Sequence, residues 1–401
     1  MDRCDALAAC SEEQGRITRR YLTPAMREAH GLLAGWMRAA GLTPRVDAAG
    51  NLIGRRAATP DAGGEPKVLL LGSHLDSVPG AGRYDGVLGV LTSLAAVEAL
   101  GPAEALAFHV DVVAFSEEEG VRYATPYLGS RALAGAFDPA LLGRVDAEGV
   151  AMGEAISAFG LDPGRIPDAA YAPGGVLGFV ETHLEQGPRL EAAGRSVGLA
   201  SAVAGQSRLL LRVCGRAAHA GTEPVDRRAD ALVAAAGVVA AARAEALADP
   251  GLQATVGRLE VSPNARNVVP GRVDLSLDVR HAGDAHRAAA VGRLLDAAVG
   301  LAAAEGCELS VVEHQRQPAV RMDPGLGARC AALLDELGQA GPRMVSGAGH
   351  DAAVMAAAFP SALLFLRHPG GVSHHPDEAA DAADVAVAVE LLVRLTRELA
   401  G

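Results

Sequence analysis

The sequence predicts an α/β fold built on a mainly parallel sheet, and three observations carry that prediction. Short, largely apolar runs of strand length occur at 68–71, 108–115, 176–180 and 361–366. Stretches of helical periodicity alternate with the first of them, as in a βαβ unit. Each run is followed, at its end or in the loop beyond it, by histidines or carboxylates: His74, Asp76 and Asp85; the triplet Glu117, Glu118 and Glu119; His183; and His374. Open α/β sheets collect their ligands at the carboxyl ends of strands, which is where these clusters fall.

Taken in order, residues 1–10 are polar and lack the apolar core of a secretory leader. Residues 23–40 have apolar side chains at helical spacing, with Pro24 near the start and Gly41 after the end, both helix punctuation. The segments PRVDA and NLIGR read as two short strands. Strand 67–72, helix 86–100 and strand 107–115 then complete a βαβ pattern. After His183 the pattern changes to RLLLRVCG, a helix over 226–247, ATVGRLEV, RVDLSLDVR, a helix over 285–304, and ELSVVEH. This βαββαβ order resembles a split-βαβ sandwich. It separates His374 from the other clusters, so the first domain is expected to be discontinuous, 1–206 with 318–401, and 207–317 to be an inserted α+β domain.

A chain of 401 residues is longer than one core usually supports, which fits two domains. Half of it is hydrophobic but only 3% is aromatic, so the cores are expected to be built from Ala, Val and Leu. The formal charge of −12 would repel a phosphate backbone, which argues against a nucleic-acid partner. Five scattered cysteines without a CxxC pair read as reduced thiols in a cytoplasmic protein. The longest apolar run, 231–242, is too short to span a bilayer, so no membrane partner is expected.

A single HxD or Glu-Glu pair is commonly a solvated turn; the weight lies in the conjunction. Two divalent ions need few ligands if one carboxylate bridges them. Asp85 would bridge, His74 and His183 would complete one site, and Glu119 and His374 the other. Imidazole and carboxylate donors suit zinc, manganese, cobalt or nickel alike. Asp76 would orient a ligating imidazole from behind. Glu118 is the expected general base, facing the water shared by the ions. Glu117 reads as an exposed charge. Together these point to a two-metal hydrolase.

The strings GSHLDSV, YDGVLGVL, FSEEEGVRY, ETHLEQGP, AHAGTEP, PNARNVVPG, LDVR, SGAGHDA and GVSHHP extend over nearly the whole chain. With them the sequence resembles the hydantoinase/carbamoylase amidohydrolases, which include allantoate amidohydrolases, N-carbamoyl-L-amino acid hydrolases and β-ureidopropionases. The resemblance implies the ligand set and base already named, and a homodimer in which 207–317 serves as lid and dimerisation domain. It further implies that His219 reaches across from the partner subunit to polarise the scissile carbonyl. Asn267 and Arg280 would hold the substrate carboxylate, and Gln186 and His350 would make further substrate contacts. The implied reaction is metal-dependent hydrolysis of a linear amide or ureido C–N bond. Allantoate, an intermediate of purine catabolism, is the leading substrate, N-carbamoyl-L-amino acids or β-ureidopropionate come second, and a dipeptidase or aminoacylase third. A non-catalytic dimeric binding protein is the remote alternative, disfavoured because binding alone does not require Glu118. Two positions depart from the family pattern: His375 stands where Asn is common, and Glu223 where Thr is frequent.

Overall fold

The computed structural model describes residues 1–59, 65–102, 104–341 and 343–401. The chain divides into two compact units, one comprising Met1–Ser201, Arg321–Met344 and Gly349–Gly401, the other Ala202–Val320 with Val345–Ala348.

The first unit is organised by a nine-stranded mixed sheet. Its strands include β1 (Thr43–Val46), β2 (Leu52–Arg56), β3 (Val68–His74), β4 (His109–Phe115), β5 (Val176–Leu184) and β6 (Val197–Val203). They run in the order β1-β2-β4-β3-β5, then the strand Ser361–Leu366, then β6. The central four, β4, β3, β5 and Ser361–Leu366, are parallel. The flanking pairs are antiparallel, which is why β1 and β2 can be joined as a short hairpin. β3 is buried at every residue, as expected of a strand covered on both faces.

The helix Val87–Leu100 packs on this sheet and is apolar almost all round, with eleven buried residues. Its approach is so close that a Cβ on Gly89 would lie 1.9 Å from the Thr182 carbonyl oxygen. Helix Pro24–Ala39 begins one residue inside the expected start, because Thr23 is its N-cap and its hydroxyl accepts the Met26 N–H. The C-terminal helix Ala382–Ala400 adds Leu391, Leu392 and Leu395 to the same core.

The second unit carries an antiparallel sheet in the order Leu259–Ser262, Arg272–His281, Gly205–Cys214, Glu308–Gln317, with Gln253–Thr255 also paired to Arg272–His281. Alternate residues Leu209, Leu211 and Val213, with Val273, Leu275, Leu277 and Val279, face the helices Ala231–Ala248 and Asp284–Ala304. Among the intervening positions charged residues pair across strands, Arg212 with Asp274 at 2.7 Å.

Two expectations for this unit need correction. The first helix begins at Ala231 and not at 226, because the Asp230 carboxylate takes the N–H groups of Leu232 and Val233 and sets the N-terminus there. The segment ATVGRLEV is two strands interrupted at 256–258. Ala231–Ala248 is, among the described residues, the one helix long and apolar enough to cross a membrane. Its face formed by Ala231, Ala234, Ala235, Val238 and Ala242 is instead buried in the core of this unit.

Candidate metal centre

Parallel register brings the site together. Gly72 on β3 lies opposite Glu181 on β5, so two residues further on His74 and His183 stand level at the carboxyl edge. Phe365 pairs with His183 and His74 with Phe115, which delivers the loops after Ser361–Leu366 and after β4 to that same edge.

Each loop is then held by backbone contacts. After β4, Asn51 accepts the Ser116 N–H at 3.0 Å, and Glu117 takes a left-handed φ of 52°. That turn aims the N–H groups of Glu118 and Glu119 at the Asp76 carboxylate, at 3.1 and 3.0 Å. After β3, Gly86 has φ 64°, and a Cβ there would lie 2.5 Å from the His74 ring, so only glycine lets the Asp85 loop press on that imidazole. The Glu378 carboxylate accepts the N–H groups of Tyr84 and Asp85, both at 2.9 Å, and fixes the loop from outside.

Asp85 sits at the focus. Its Oδ1 is 3.1 Å from His183 Nε2 and 3.7 Å from His74 Nε2, and its Oδ2 is 3.3 Å from His374 Nε2. His74 Nε2 and His183 Nε2 are 3.3 Å apart, and Glu119 Oε1 is 3.7 Å from His374 Nε2. Two overlapping donor groups result, His74–Asp85–His183 and Asp85–Glu119–His374, with Asp85 in both. The far nitrogens of the first two rings face backbone carbonyls, His74 Nδ1 that of Asp76 at 3.1 Å and His183 Nδ1 that of Leu184 at 2.9 Å. Such partners keep the proton on Nδ1 and leave Nε2 free to bind.

The electrostatics are those of crowded, buried carboxylates. Burial, together with the neighbouring Glu119 and Asp351, pushes Glu118 well above the usual range despite the opposing pull of His74. Burial, with Asp85 and Asp76, raises Glu119 to about 7. Asp85 goes the other way: burial opposes its charge, but contacts with His183, His374 and His74 outweigh it and hold the group well below the usual range. His374, in turn, is raised to about 9 by Asp85.

The remaining expected residues separate into two sets. His350 is buried beside His183, with ring centroids 4.5 Å apart, and burial with the nearby His183 and His74 keeps it well below the usual histidine range. Gln186 has a left-handed φ of 55° and donates to the Ser373 hydroxyl at 2.8 Å, one residue before His374. His375 is exposed and faces Asp377 at 3.6 Å, so it is His374 that meets Asp85. His219, Asn267 and Arg280 belong to the second unit. His219 is exposed in a two-stranded ladder opposite Val268, and the Ala220 N–H bonds to the Asn267 carbonyl at 2.9 Å. Arg280 already has its fork on Asp278, at 2.8 and 2.9 Å, and a further bond to the Gly347 carbonyl. Glu223 pairs with Arg216 at 2.6 Å.

Glu117 requires correction: it is fully buried, not an exposed charge. Its carboxylate accepts the N–H groups of Arg122 and Tyr123, so it ties the following loop beneath the site, and burial with the neighbouring Asp76 raises it to about 8. Sequence reasoning also passed over Glu378 and Glu181. The latter bridges the Ser73 hydroxyl at 2.9 Å and the Ala352 N–H at 2.7 Å, joining β3, β5 and the start of helix Asp351–Met355. The available signal was a carboxylate inside or beside each metal-like string.

Both Asp85 carboxylate oxygens are buried and lack a hydrogen-bond partner. An ionised carboxylate in that state is costly unless a cation or donor compensates it. Donor separations of 3.1–3.7 Å around it are close to the roughly 3.4 Å edge of a tetrahedron of ligands at ~2.1 Å. The donor chemistry is that of a divalent-cation site.

Comparison with known proteins agrees. The profile of Peptidase family M20/M25/M40 matches residues 70–398. An N-carbamoyl-L-amino acid amidohydrolase of Geobacillus stearothermophilus is 38% identical over 391 residues, covering 97% of this chain and 95% of that one. A probable allantoate deiminase of Oryza sativa subsp. japonica is 35% identical, covering 96% and 84%. The crystal structure of a hydantoinase/carbamoylase family amidase from Burkholderia multivorans superposes with a TM-score of 0.91 at 32% identity, covering 100% of this chain and 96% of that one. The chain is therefore a hydrolase that belongs to Peptidase family M20/M25/M40, in the branch whose members carry the names N-carbamoyl-L-amino acid amidohydrolase and allantoate deiminase.

Proposed function

We propose that this protein is a dinuclear metal-dependent amidohydrolase that cleaves the ureido C–N bond of a small carboxylate substrate. The observation that carries the proposal is the buried, unpartnered Asp85 carboxylate, with His74 and His183 on one oxygen and His374 on the other. Asp85 would be shared by two ions, with His74 and His183 completing one site and Glu119 and His374 the other. Bound there, the ions would act as Lewis acids toward the carbonyl and make water nucleophilic near neutral pH.

The protein's own groups do the rest. Glu118 lies within the carboxylate cluster on a loop fixed by Asp76, and it accepts the proton of the attacking water and returns it to the leaving nitrogen. Opposite charge within ~4–6 Å of a carboxylate favours its ionised form, so Glu118 becomes a competent base only in the loaded site. Cleavage of a carbamoyl group releases ammonia and carbon dioxide and leaves the amine. His350 and Gln186 flank the cluster and would contact substrate. His219 of a partner subunit would polarise the carbonyl, and Asn267 and Arg280 would hold the substrate carboxylate, which must then replace Asp278 on the Arg280 fork. The second unit would serve as lid and dimerisation domain, the ions being zinc or manganese, with cobalt or nickel also suited to these donors. Four of the five thiols are buried and all are free, which fits a cytoplasmic enzyme.

Allantoate is the first substrate to test. N-carbamoyl-L-amino acids are the second reading, favoured by the 38% identity to the Geobacillus enzyme. Ammonia release from allantoate, N-carbamoyl-L-amino acids and a dipeptide, each with and without chelator, tests the proposal. Chelator-sensitive release from either ureido substrate supports it; activity confined to the dipeptide, or indifferent to chelator, overturns it. A strictly monomeric but active preparation would remove His219 from the mechanism.

A further inference from the structure

The second unit holds another cluster of metal-type donors, made by three elements that meet at one corner. Asp249 caps the C-terminus of helix Ala231–Ala248, His281 is the last residue of strand Arg272–His281, and His286 lies in the first turn of helix Asp284–Ala304. One donor atom from each lies within 4.8 Å of the other two. No residue of this cluster belongs to the centre described above.

The local geometry is that of a site with an open side. Asp249 Oδ1 accepts the Gly251 N–H at 2.9 Å, while Oδ2 is in contact with His286 Nε2. The His281 and His286 rings stack at 4.3 Å between centroids, 24° from parallel. An ion pair with Asp249 requires only one of these rings. The second is held in place from behind: His281 Nδ1 accepts the Gly283 N–H at 2.8 Å and lies 3.2 Å from the Gly283 carbonyl oxygen. When Nε2 binds a cation the ring proton passes to Nδ1, which then donates to the Gly283 carbonyl instead of accepting the Gly283 N–H, the usual arrangement for a ligating histidine. Gly251 leaves the space beside Nε2 empty: a Cβ there would lie 3.1 Å from His281 Nε2 and 3.3 Å from Asp249 Oδ1. The Gly251 N–H and His286 also hold the Asp249 carboxyl below its ordinary range, ready as an anionic ligand.

We propose that Asp249, His281 and His286 form a third divalent-cation site, distinct from the paired centre, which takes an imidazole-preferring ion such as zinc, nickel or copper. Two imidazoles and a carboxylate suit these ions and not magnesium or calcium. The donors already lie within 4.8 Å of one another, and small side-chain rotations bring them to the roughly 3.4 Å separation of ligands at ~2.1 Å, with water completing the coordination. An ion here would clamp the end of one helix to the start of the other and to the strand between them.

The test is metal stoichiometry on the full chain, stripped with chelator and dialysed against zinc. Wild type should bind one more ion per chain than the double variant His281→Gln/His286→Gln, with ammonia release unchanged. Nickel should behave alike, its Kd at this site rising at least about 100-fold in the double variant, the upper end of the loss seen on removing an outer hydrogen-bond partner of a ligand. Gly251→Val, which keeps all three donors and fills the gap, should lose the same single ion and guards against a misfolded double variant. The difference of one ion is expected whether or not the paired centre loads, so failure of the proposed catalytic function would not obscure it. Equal stoichiometry in wild type and both variants would overturn the proposal.

Discussion

Two aspartates, one in each unit, show what distinguishes a functional site from a structural ion pair. Asp274, on the polar face of the second unit's sheet, is gripped by Arg212 through two bonds of 2.7 and 2.9 Å, and this grip lowers its pKa. Asp85, in the first unit, is also buried but among the described residues has no arginine or lysine beside it, only histidines and the Glu119 carboxylate, and both its oxygens lack a hydrogen-bond partner. Around Asp274 the chain supplies its own cation. Around Asp85 it supplies imidazoles, which hold their protons against that carboxylate until a metal displaces them, and more carboxylates, an arrangement whose excess negative charge is offset when divalent cations come from outside. The difference teaches that a charge locked to an arginine, which cannot give up its proton, serves stability, whereas one paired with histidines, which can exchange a proton for a metal, is available to a ligand.

The comparison can be broken most severely at Asp85 itself. Asp85→Ala should leave activity undetectable and weaken both ions by more than about 100-fold, since it removes the shared ligand; a variant that still binds two ions per chain by elemental analysis would refute the bridging role. Next comes Glu118→Gln, which should keep its metal and lose about 10²–10⁴ in kcat; near-normal turnover would exclude Glu118 as the base. Glu378→Gln removes a charge from the carboxylate that holds the Tyr84 and Asp85 N–H groups. We expect metal affinity to fall by about 10–100-fold with the fold intact, and unchanged affinity would make that residue a mere loop anchor.

The same contrast predicts how stability depends on pH and metal. Glu119 and Glu378 are raised from 4.5 to about 7 by burial, with Asp85 adding to both, and His374 is raised from 6.5 to about 9 by Asp85. In each case the folded chain binds the proton more tightly than the unfolded one. The stability they contribute is therefore present at low pH and lost as pH rises, between 4.5 and about 7 for the glutamates and between 6.5 and about 9 for His374. Ligands must be deprotonated to bind metal, so the gap in Tm between zinc-loaded and stripped protein should widen from pH 5 to pH 9. A constant gap would contradict this. The smallest effect belongs to the other aspartate: Arg212→Ala should lower the urea-unfolding midpoint only slightly, because the pair is screened by solvent, with metal content unaltered. Loss of ions in that variant would erase the distinction between the two regions.

Much of this was legible in the sequence because the relevant signals are local. The apolar runs at β3, β4, β5 and Ser361–Leu366 mark strands, and the residues just beyond each strand of a parallel sheet are carried to one edge whatever the loops do. That is why the positions of His74, Asp85, Glu119, His183 and His374 could be read before their contacts were known. Glu117 could not be read in the same way, since its burial depends on a left-handed turn that a run of three glutamates does not announce. Glu378, in an acidic loop after Pro376, looks like solvent-exposed chain until two N–H groups from a loop nearly three hundred residues earlier are found on it. The start of helix Ala231–Ala248 was misplaced because apolar content extends beyond the Asp230 cap. The Arg280–Asp278 fork is a different case: residues two apart on one strand share a face, but the strand pattern does not say that the guanidinium turns back onto its neighbour rather than outward to a ligand.

Anomalous diffraction from crystals loaded with zinc or manganese would test the central claim most directly. The account predicts two peaks roughly 3.5–4 Å apart, with one Asp85 oxygen directed at each, His74 and His183 on the first and Glu119 and His374 on the second. A single peak, or a pair that does not share Asp85, would contradict it.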